Sequence, residues 1–364
     1  MTYYKISNAD GKQWVMSSKN MAMGMQLYQP SAWKGRLLKQ WLPLVNKVDV
    51  LGVVKKALNI EVCECPIPET LKKKLKEVFG RNDLEYSYFG GTPCAHQKAT
   101  IQVYSKDQIF GYCKITKNEE IFQLFKHEQN ILNTLDSFGV KNIPRCLYCG
   151  GFVGEMYLFI QTTRKTSKSN IRHELGYLEL CFLKRFKEFT SQQCSLKETD
   201  EYKWLLTLRD LEDKLSCISV NGRSVVKNGV KLVCDYYGEQ ISAFSAYHSD
   251  FTPWNMFEES DELFVFDFEY AGLTYIPYLD LFHHFTQTGI FEQKLGANAL
   301  YKSYCNKMGF WESYFDSPDV AYLAYLLDQL AKFIGREKGK MPETLIKTAK
   351  IWITLIELLQ HNNK

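Results

Sequence analysis

The stretch YHSDFTPWN (residues 247–255) places Asp250 and Asn255 five positions apart among aromatic side chains. Asp267 follows on an apolar run, LFVFDFE, whose composition predicts a strand. Phosphoryl transfer requires a carboxylate that accepts or orients the proton of a hydroxyl group, and it requires oxygen ligands for magnesium on a short loop nearby. Asp250, Asn255 and Asp267 have the residue types and the spacing for this chemistry.

A lysine and a glutamate upstream suit the same chemistry. Glu128 lies at the centre of the apolar stripe of a predicted helix, EEIFQLFKHEQNILNTL, where an unpaired charge is costly. Lys114, on the predicted strand before that helix, is the best candidate for its partner. Kinases use a strand lysine held by a helix glutamate to place an ammonium on nucleotide phosphates. The pattern alone also permits a purely structural ion pair, or a glutamate that reaches solvent.

The loop YFGGTPCAHQK, residues 88–98, contains Gly90, Gly91 and Thr92. Such a loop could approach phosphate groups closely and offer them backbone N–H groups. It lacks the G-x-G-x-x-G spacing, and adjacent glycines are also common in hairpin turns. We therefore predict phosphate contact for these three residues only in combination with the other motifs.

The order of elements predicts a small sheet followed by helices. KATIQVYS and QIFGYCKI are predicted to form an antiparallel hairpin, and YCGGFVGEMYLFIQTT adds one or two strands after the helix of Glu128. After about residue 164 the sequence is mostly helical. In SPDVAYLAYLLDQLAKFIG, Ser317 is the predicted N-cap and Gly335 is predicted to lie beyond the helix end. The predicted parts are an extension at 1–83, a sheet-containing lobe at 84–163 and a helical lobe at 164–364.

The composition is that of an ordinary folded protein. Of 364 residues, 45% are hydrophobic and 24% are charged, which predicts a sizeable core. The net charge of +4 does not indicate nucleic acid as a partner. The 11 cysteines are scattered and no apolar signal follows Met1. We therefore expect a reducing, cytoplasmic location, with contact at the inner face of the membrane as an option.

That option rests on residues 32–58 of the basic extension. The apolar side chains predicted to share one helical face are Leu37, Leu38, Trp41 and Leu42, and the positive side chains around it are Lys34, Arg36 and Lys39. Pro43 is predicted to end this helix. A basic amphipathic helix with tryptophan can rest on a membrane surface. The alternative is a short helix that packs on the main body.

Three segments together resemble a known superfamily. HSDFTPWN, FDFEYAG and IPYLDLFHHF are similar to the H-G-D-x-x-x-x-N, D-W/F-E and P-x-x-D-L segments of the aminoglycoside phosphotransferase and choline kinase superfamily. The resemblance covers roughly residues 84–364. It implies a bilobal, protein-kinase-like α+β fold with a small antiparallel-sheet N-lobe carrying one helix and a mostly helical C-lobe. It also implies phosphorylation of a hydroxyl group of a small molecule or glycan, with ATP and Mg²⁺ as cofactors.

The resemblance also assigns roles to individual residues. It implies that Asp250 is the catalytic base and that Asn255 and Asp267 are the magnesium ligands. It makes Lys114 the phosphate-binding lysine with Glu128 as its partner, and it makes His248 and Asp280 supports of the catalytic loop. LFIQTT, near residues 158–163, occupies the place of the hinge that would hold adenine. Ser249 departs from the usual glycine and Phe268 from the commoner tryptophan, and we expect catalysis to tolerate serine.

The sequence leaves the acceptor open. FDFEYAG and LDLFHHF resemble choline and ethanolamine kinases more than antibiotic kinases, and the 14% aromatic content could line a cage for a quaternary ammonium group. DFTPWN and GGTPCAHQKATIQVYS resemble members associated with bacterial surface polysaccharides. A third alternative is a pseudokinase or glycan-binding module without catalysis, which the complete set of motif residues disfavours.

The basic extension generates a first prediction. We expect weak binding to anionic liposomes through Lys34, Arg36, Lys39 and Trp41, because basic side chains are attracted to an anionic surface. This binding should weaken as salt is added, since salt screens the attraction. Liposome flotation at low and high salt measures it. Equal recovery with liposomes of the full-length protein and of protein without the extension would contradict membrane binding through the extension.

Overall fold

The computed structural model describes residues 2–8, 10–28, 33–47, 60–93, 97–210, 218–337 and 342–362. The chain forms two compact units. Unit 1 consists of Met1–Ser137, Lys141–Ile171 and Phe257–Glu269, and unit 2 consists of Phe138–Val140, Arg172–Met256 and Tyr270–Lys364. Unit 1 carries the large sheet and unit 2 most of the helices, which confirms the predicted α+β class. In the part of the chain just given, no helix has the length and apolar character needed to cross a bilayer.

An eight-stranded antiparallel sheet forms the centre of unit 1. Its strands are β1 Tyr3–Ser7, β2 Gln13–Ser17, β3 Ile60–Cys63, β4 Glu85–Phe89, β5 Ala99–Ser105, β6 Gln108–Thr116, β7 Cys146–Phe152 and β8 Met156–Thr162. They are ordered β3-β1-β2-β4-β5-β6-β8-β7, and the predicted hairpin is the pair β5 and β6. Because β1, β2 and β3 precede residue 83, the sheet continues across the boundary predicted there.

The extension also contributes helices α1 Met21–Gly24 and α2 Trp33–Lys47. Helix α2 contains Pro43 in its interior, so the end predicted at this proline is wrong. A proline removes one helical hydrogen bond and favours a bend, which packing of the flanking residues can offset. Leu42 is 1% exposed and packs in a core cluster with Tyr4 and Trp14, which holds the helix on both sides of the proline.

The opposite face of α2 carries exposed apolar side chains. Leu37, Trp41 and Leu44 are 44%, 61% and 57% exposed, and their spacing places them on one side of the helix. Parts of the predicted membrane-contact segment, residues 32–58, lie outside the described residues: residue 32, residues 48–58 and the side chains of Trp33, Lys34, Arg36 and Lys47. Since deleting the extension would remove three strands, the full chain with Trp41→Ser and Leu44→Ser is the better control in the flotation experiment.

Helix α3, Glu69–Phe79, covers one face of the sheet. Leu71 and Leu75 lie one turn apart, are 1% and 0% exposed, and share a core cluster with Ile101 and Cys113. Side chains alternate along a strand, so Lys114, the residue after Cys113, points to the other face.

Helix α4, Glu119–Ser137, lies on that other face. The ring of Phe125 is 5.7 Å from the ring of Phe159 on β8, and Glu128 follows three residues later on the same buried stripe. The apolar packing of α4 therefore brings Glu128 to the face of the sheet that carries Lys114.

Unit 2 is mostly helical in its described part. Its helices are α5 Tyr177–Thr190, α6 Asp200–Asp210, α7 Val220–Tyr237, α8 Leu279–Phe291, α9 Ala297–Cys305, α10 Met308–Trp311, α11 Pro318–Arg336 and α12 Glu343–Asn362. Its strands are β9 Gln192–Cys194, β10 Ser242–Tyr247 and β13 Gly272–Tyr275. The last two strands, β11 Met256–Glu259 and β12 Glu262–Val265, belong to unit 1 except for Met256. Strand β10 pairs with β9 and β13 and leads into His248, whereas β11 and β12 form a hairpin that ends just before Asp267.

Helix α11 begins where predicted, with Ser317 at the N-cap position, but it ends later than predicted. It continues through Gly335 to Arg336, so the prediction that Gly335 lies beyond the end is wrong, and Ser317 makes no side-chain cap bond. Gly335 does not adopt the positive φ that a glycine stop requires. A Cβ at this position would lie 3.4 Å from the Trp204 ring, an ordinary van der Waals contact, so this part of α11 packs against α6.

Candidate active site

Lys114 on β6 lies between two carboxylates of unit 1. Its Nζ donates to Oε2 of Glu128 at 2.7 Å and to Oδ1 of Asp267 at 2.6 Å. Lys114 is 6% exposed and Glu128 is fully buried, whereas the side chain of Asp267 is 25% exposed. The predicted contact between Lys114 and Glu128 is present, and Asp267 is a second carboxylate partner of the same lysine.

Burial and charge act in opposite directions on this group. Burial alone would lower the pKa of Lys114, but the carboxylates of Asp267 and Glu128 raise it above its ordinary value, so the ammonium stays charged. Burial raises the pKa of Glu128 to about 7, and the charge of Lys114 opposes that shift. Oε1 of Glu128 also accepts the backbone N–H of Phe268 at 3.2 Å, which fixes the residue after Asp267.

A second pair, Lys98 and Glu269, lies beside this group and was not predicted. Nζ of Lys98 donates to Glu269 and is 3.9 Å from Oδ1 of Asp267. Carboxylate oxygens of Glu128, Asp267 and Glu269 lie within 4.8 Å of one another. Oxygen ligands of this kind suit a hard divalent cation, while the two lysines suit phosphate oxygens. Glu269 belongs to the FDFE motif, so its acidic side chain in that motif could have indicated from the sequence that it is part of the site.

The predicted glycine loop follows β4. The N–H of Gly90 donates to the carbonyl of Gln13 at 2.9 Å, so the sheet already uses this amide. Gly91 has a φ of +84°, and a Cβ there would collide with the carbonyl oxygen of Lys98, so the turn requires glycine. Thr92 is exposed. Phosphate contact by these residues stays a prediction.

The predicted hinge segment lies largely inside the sheet. Strand β8, Met156–Thr162, pairs with β6 on one side and β7 on the other, so its backbone groups are used by the sheet. The N–H of Thr163 donates to the carbonyl of Phe110 at 3.3 Å. Adenine contact by this segment stays a prediction.

Asp250 and Asn255 form one hydrogen-bonded group in unit 2. Nδ2 of Asn255 donates to Oδ2 of Asp250 at 2.7 Å and to its backbone carbonyl at 3.0 Å. The short 3₁₀ turn Pro253–Asn255 supports this geometry, since the N–H of Asn255 donates to the carbonyl of Thr252 at 2.9 Å. These bonds use the amide nitrogen of Asn255, which leaves its amide oxygen as the atom suited to a cation.

His283 contacts the other oxygen of Asp250 and was not predicted. Its Nε2 is 3.3 Å from Oδ1 of Asp250. Burial lowers the pKa of His283 to about 3, and the charge of Lys332 acts in the same direction, so the ring is neutral at pH 7. Because a carboxylate can only accept, we assign the ring proton to Nε2. The side chain of Asp250 is thus held from two sides while remaining 33% exposed.

Asp280, near the start of α8, holds the backbone before Asp250. Its Oδ2 accepts the N–H of His248 at 2.9 Å and its Oδ1 accepts the N–H of Ser249 at 3.1 Å. Burial raises the pKa of Asp280 to about 7, whereas these two N–H groups favour its charged form. Nδ1 of His248 accepts the N–H of Asp250 at 3.1 Å. His248 and Asp280 therefore lie where bracing residues of this loop would be needed.

Ser249, which stands where the motif usually has glycine, has a φ of +69°. This left-handed conformation is unfavourable for a residue with a side chain. Its Oγ accepts a hydrogen bond from Nζ of Lys332 at 2.7 Å, and the same ammonium pairs with Asp328 at 2.8 Å. The hydroxyl thus offsets backbone strain by binding a lysine that is 9% exposed.

Solved structures share this fold. A thermostable mutant of the aminoglycoside phosphotransferase APH(4)-Ia in its apo form is 12% identical, with a TM-score of 0.51 over 80% of this chain and 98% of that chain. A protein assigned as a fructosamine-3-kinase from Haemophilus somnus 129PT is 12% identical, with a TM-score of 0.48 over 79% and 97%. ADP-bound aminoglycoside phosphotransferase APH(2'')-Ib is 17% identical, with a TM-score of 0.47 over 80% and 99%.

The likeness to APH(4)-Ia shows that this chain has the protein-kinase-like fold of the aminoglycoside phosphotransferases, as its motifs predicted. No protein-family model and no curated protein matches the sequence.

The backbone conformation of Ser249 generates a prediction. Ser249→Gly and Ser249→Ala both remove the hydroxyl that binds Lys332, but only glycine adopts a positive φ without strain. We expect the glycine variant to be more stable than the alanine variant by about 1 kcal/mol. Urea unfolding of the two proteins measures the difference. Equal stability, or a more stable alanine variant, would contradict the strained geometry.

Proposed function

We propose that the protein is an ATP-dependent phosphotransferase that moves the γ-phosphate of ATP to a hydroxyl group of a small molecule or glycan. The observation that carries the proposal is the completeness of the catalytic set. Unit 1 holds a charged lysine between a helix glutamate and the motif aspartate, and unit 2 holds Asp250 bonded to Asn255. The similarity of the fold to a phosphotransferase supports this class of reaction.

The proposed cofactors fit the donor atoms that are present. Lys114 and Lys98 are the side chains that would contact phosphate oxygens. Asp267 and Asn255 are the proposed magnesium ligands, with Glu269 as a further carboxylate. A bound magnesium ion would neutralise phosphate charge. The buried charge of Lys114 is kept by its two carboxylates, so the lysine is positive before any nucleotide arrives.

The part assigned to Asp250 follows from its hydrogen bonds. Asn255 and His283 each donate to one carboxylate oxygen, which orients the group, while the side chain remains 33% exposed. An acceptor hydroxyl could donate there, and Asp250 would orient it and take its proton. Asp280 and His248 would keep the backbone of this loop in place.

The proposal also covers the cellular location of the protein and its link to polysaccharide. We place the protein in the cytoplasm, with weak contact at the inner face of the membrane through α2. The exposed Leu37, Trp41 and Leu44 support that contact. A link to surface polysaccharide remains our interpretation of the DFTPWN loop. The pseudokinase alternative predicts nucleotide binding without transfer, so the next experiment separates the two.

Asp250→Asn tests the proposal. The amide keeps the size of the side chain but cannot take a proton, so transfer should fall by about 10²–10⁴-fold. ATP binding should change little, because Asp250 is not among the proposed phosphate or magnesium contacts. The measurements are phosphate transfer from labelled ATP across a panel of sugars, choline and aminoglycosides, and nucleotide binding by thermal shift.

The matched control for that variant is Asp235→Asn, an exposed aspartate on α7 paired with Lys231. It should transfer phosphate like the unmodified protein. Undiminished transfer by Asp250→Asn would contradict the role of Asp250. Nucleotide binding without transfer to any acceptor in the unmodified protein would favour the pseudokinase.

A further inference from the structure

A cavity of about 200 Å³ within unit 2 opens onto Asp250. Its polar lining includes Lys332, Arg336, Gln287 and Gln329, and Trp254 stands on its border with 38% exposure. Pockets that enclose drug-sized ligands measure roughly 300–1,000 Å³. The cavity is therefore suited to one small group of an acceptor, of the size of a single sugar.

The lining of this cavity carries more positive than negative charge. Of the described residues that line it, Asp250 alone has a carboxylate, whereas Lys332 and Arg336 both carry positive charge. The acids that balance these cations, Asp328 and Glu337, are not part of the lining. Each ion pair thus has its positive member in the cavity wall and its negative member outside it.

The two cations retain donors for a ligand. Lys332 has three N–H donors, and its contacts with Ser249 and Asp328 account for two of them. Arg336 contacts Glu337 through Nε at 2.7 Å and also hydrogen-bonds Tyr270. Its planar guanidinium has five N–H donors, so donors remain for a carboxylate or phosphate. The side chain of Arg336 is 29% exposed, so it can be reached.

This arrangement disfavours cationic acceptors. The amino groups of an aminoglycoside or the quaternary ammonium of choline would meet Lys332 and Arg336, and close like charges repel. A cage for a quaternary ammonium uses aromatic faces. Here, Lys332 itself lies over the rings of Tyr247 and Tyr275, at 4.8 Å from each centroid. The rings of Tyr247 and Tyr275 are thus occupied by a cation of the protein.

We propose that the acceptor is a sugar unit bearing an anionic substituent, a carboxylate or a phosphate, whose hydroxyl reaches Asp250 while the anion contacts Arg336 and Lys332. This inference rests on the proposed phosphotransferase function and narrows its acceptor. Gln287 and Gln329 would bind sugar hydroxyls, and Trp254 offers an apolar face to the ring. Ser249 then has a reason to replace glycine, because its hydroxyl holds Lys332 beside Asp250.

The test compares three sugars that share a skeleton and differ in charge: glucuronate, glucose and glucosamine. Binding to the full-length protein without nucleotide is measured by saturation-transfer difference NMR titration. We expect glucuronate to bind more tightly than glucose by about tenfold, and glucosamine to bind least. No binding by any of the three, equal binding, or a preference for glucosamine would overturn the proposal.

Variants of Arg336 test the origin of the preference. Arg336→Gln should bring glucuronate and glucose to within about twofold of each other, while Arg336→Lys, which keeps the charge, should retain most of the preference. Lys231→Gln, an exposed change on α7, is the control and should leave the preference intact. Thermal unfolding establishes that each variant is folded. An unchanged preference in Arg336→Gln would remove the assignment of the anion to this cavity.

The same titrations separate this inference from the proposed function. Charge-dependent glucuronate binding without phosphate transfer from ATP would leave the ligand class standing and contradict the phosphotransferase. Transfer to choline or an aminoglycoside in preference to glucuronate would support the phosphotransferase and overturn the anionic acceptor.

Discussion

The ammonium of Lys114, buried between the carboxylates of Glu128 and Asp267, is the constraint on which unit 1 depends. Removing one partner of a buried ion pair typically costs about 3–5 kcal/mol, because the other charge is left uncompensated. Strand β6, helix α4 and the segment after β12 must therefore meet at one point. Glu128 strengthens this convergence by also accepting the N–H of Phe268. The same contacts give unit 1 a lysine whose charge is already in place.

Unit 2 uses a buried carboxylate in a different way. Asp280 has no cation as its direct hydrogen-bond partner in the contacts described, and it accepts two consecutive backbone N–H groups from His248 and Ser249. This holds Ser249 in its left-handed conformation, and the bond from Lys332 adds to it. Strained backbone of this kind is maintained when surrounding contacts over-determine it, and such positions are frequent at functional sites. These contacts therefore fix the backbone from which the side chain of Asp250, the next residue, extends.

The parts of the site that could be predicted were those with a local signal. A charge within an apolar helical stripe needs a partner, and this predicted the contact between Glu128 and Lys114. The motif spacing predicted that Asp250 and Asn255 belong together. His283 and Lys98 were missed because their partners, Asp250 and Glu269, are 33 and 171 residues away in the sequence. Lys332 was missed for the same reason, because Ser249, which it binds, lies 83 positions away.

The elements of the fold could likewise be predicted where a local sequence pattern specifies them, and not where contacts between distant segments do. The β5 and β6 hairpin and helix α4 were predictable from alternation and helical periodicity. The pairing of the N-terminal strands with β4 depends on contacts far apart in the chain, and no pattern within Tyr3–Ser7 specifies its neighbours. Pro43 and Gly335 were wrongly read as helix ends, because packing of Leu42 and of Trp204 overrides the local preference.

We propose that unit 1 carries a nucleotide site in which Asp267 holds magnesium. Calorimetric titration of ATP into the unmodified protein and into Asp267→Asn, each with magnesium and with a chelator, tests it most directly. Asp261→Asn, an exposed change in the hairpin turn before β12, is the control. We expect magnesium to tighten ATP binding in the unmodified protein and in the control, and we expect Asp267→Asn to lose this dependence. Full magnesium dependence in Asp267→Asn, or no ATP binding by the unmodified protein, would contradict it.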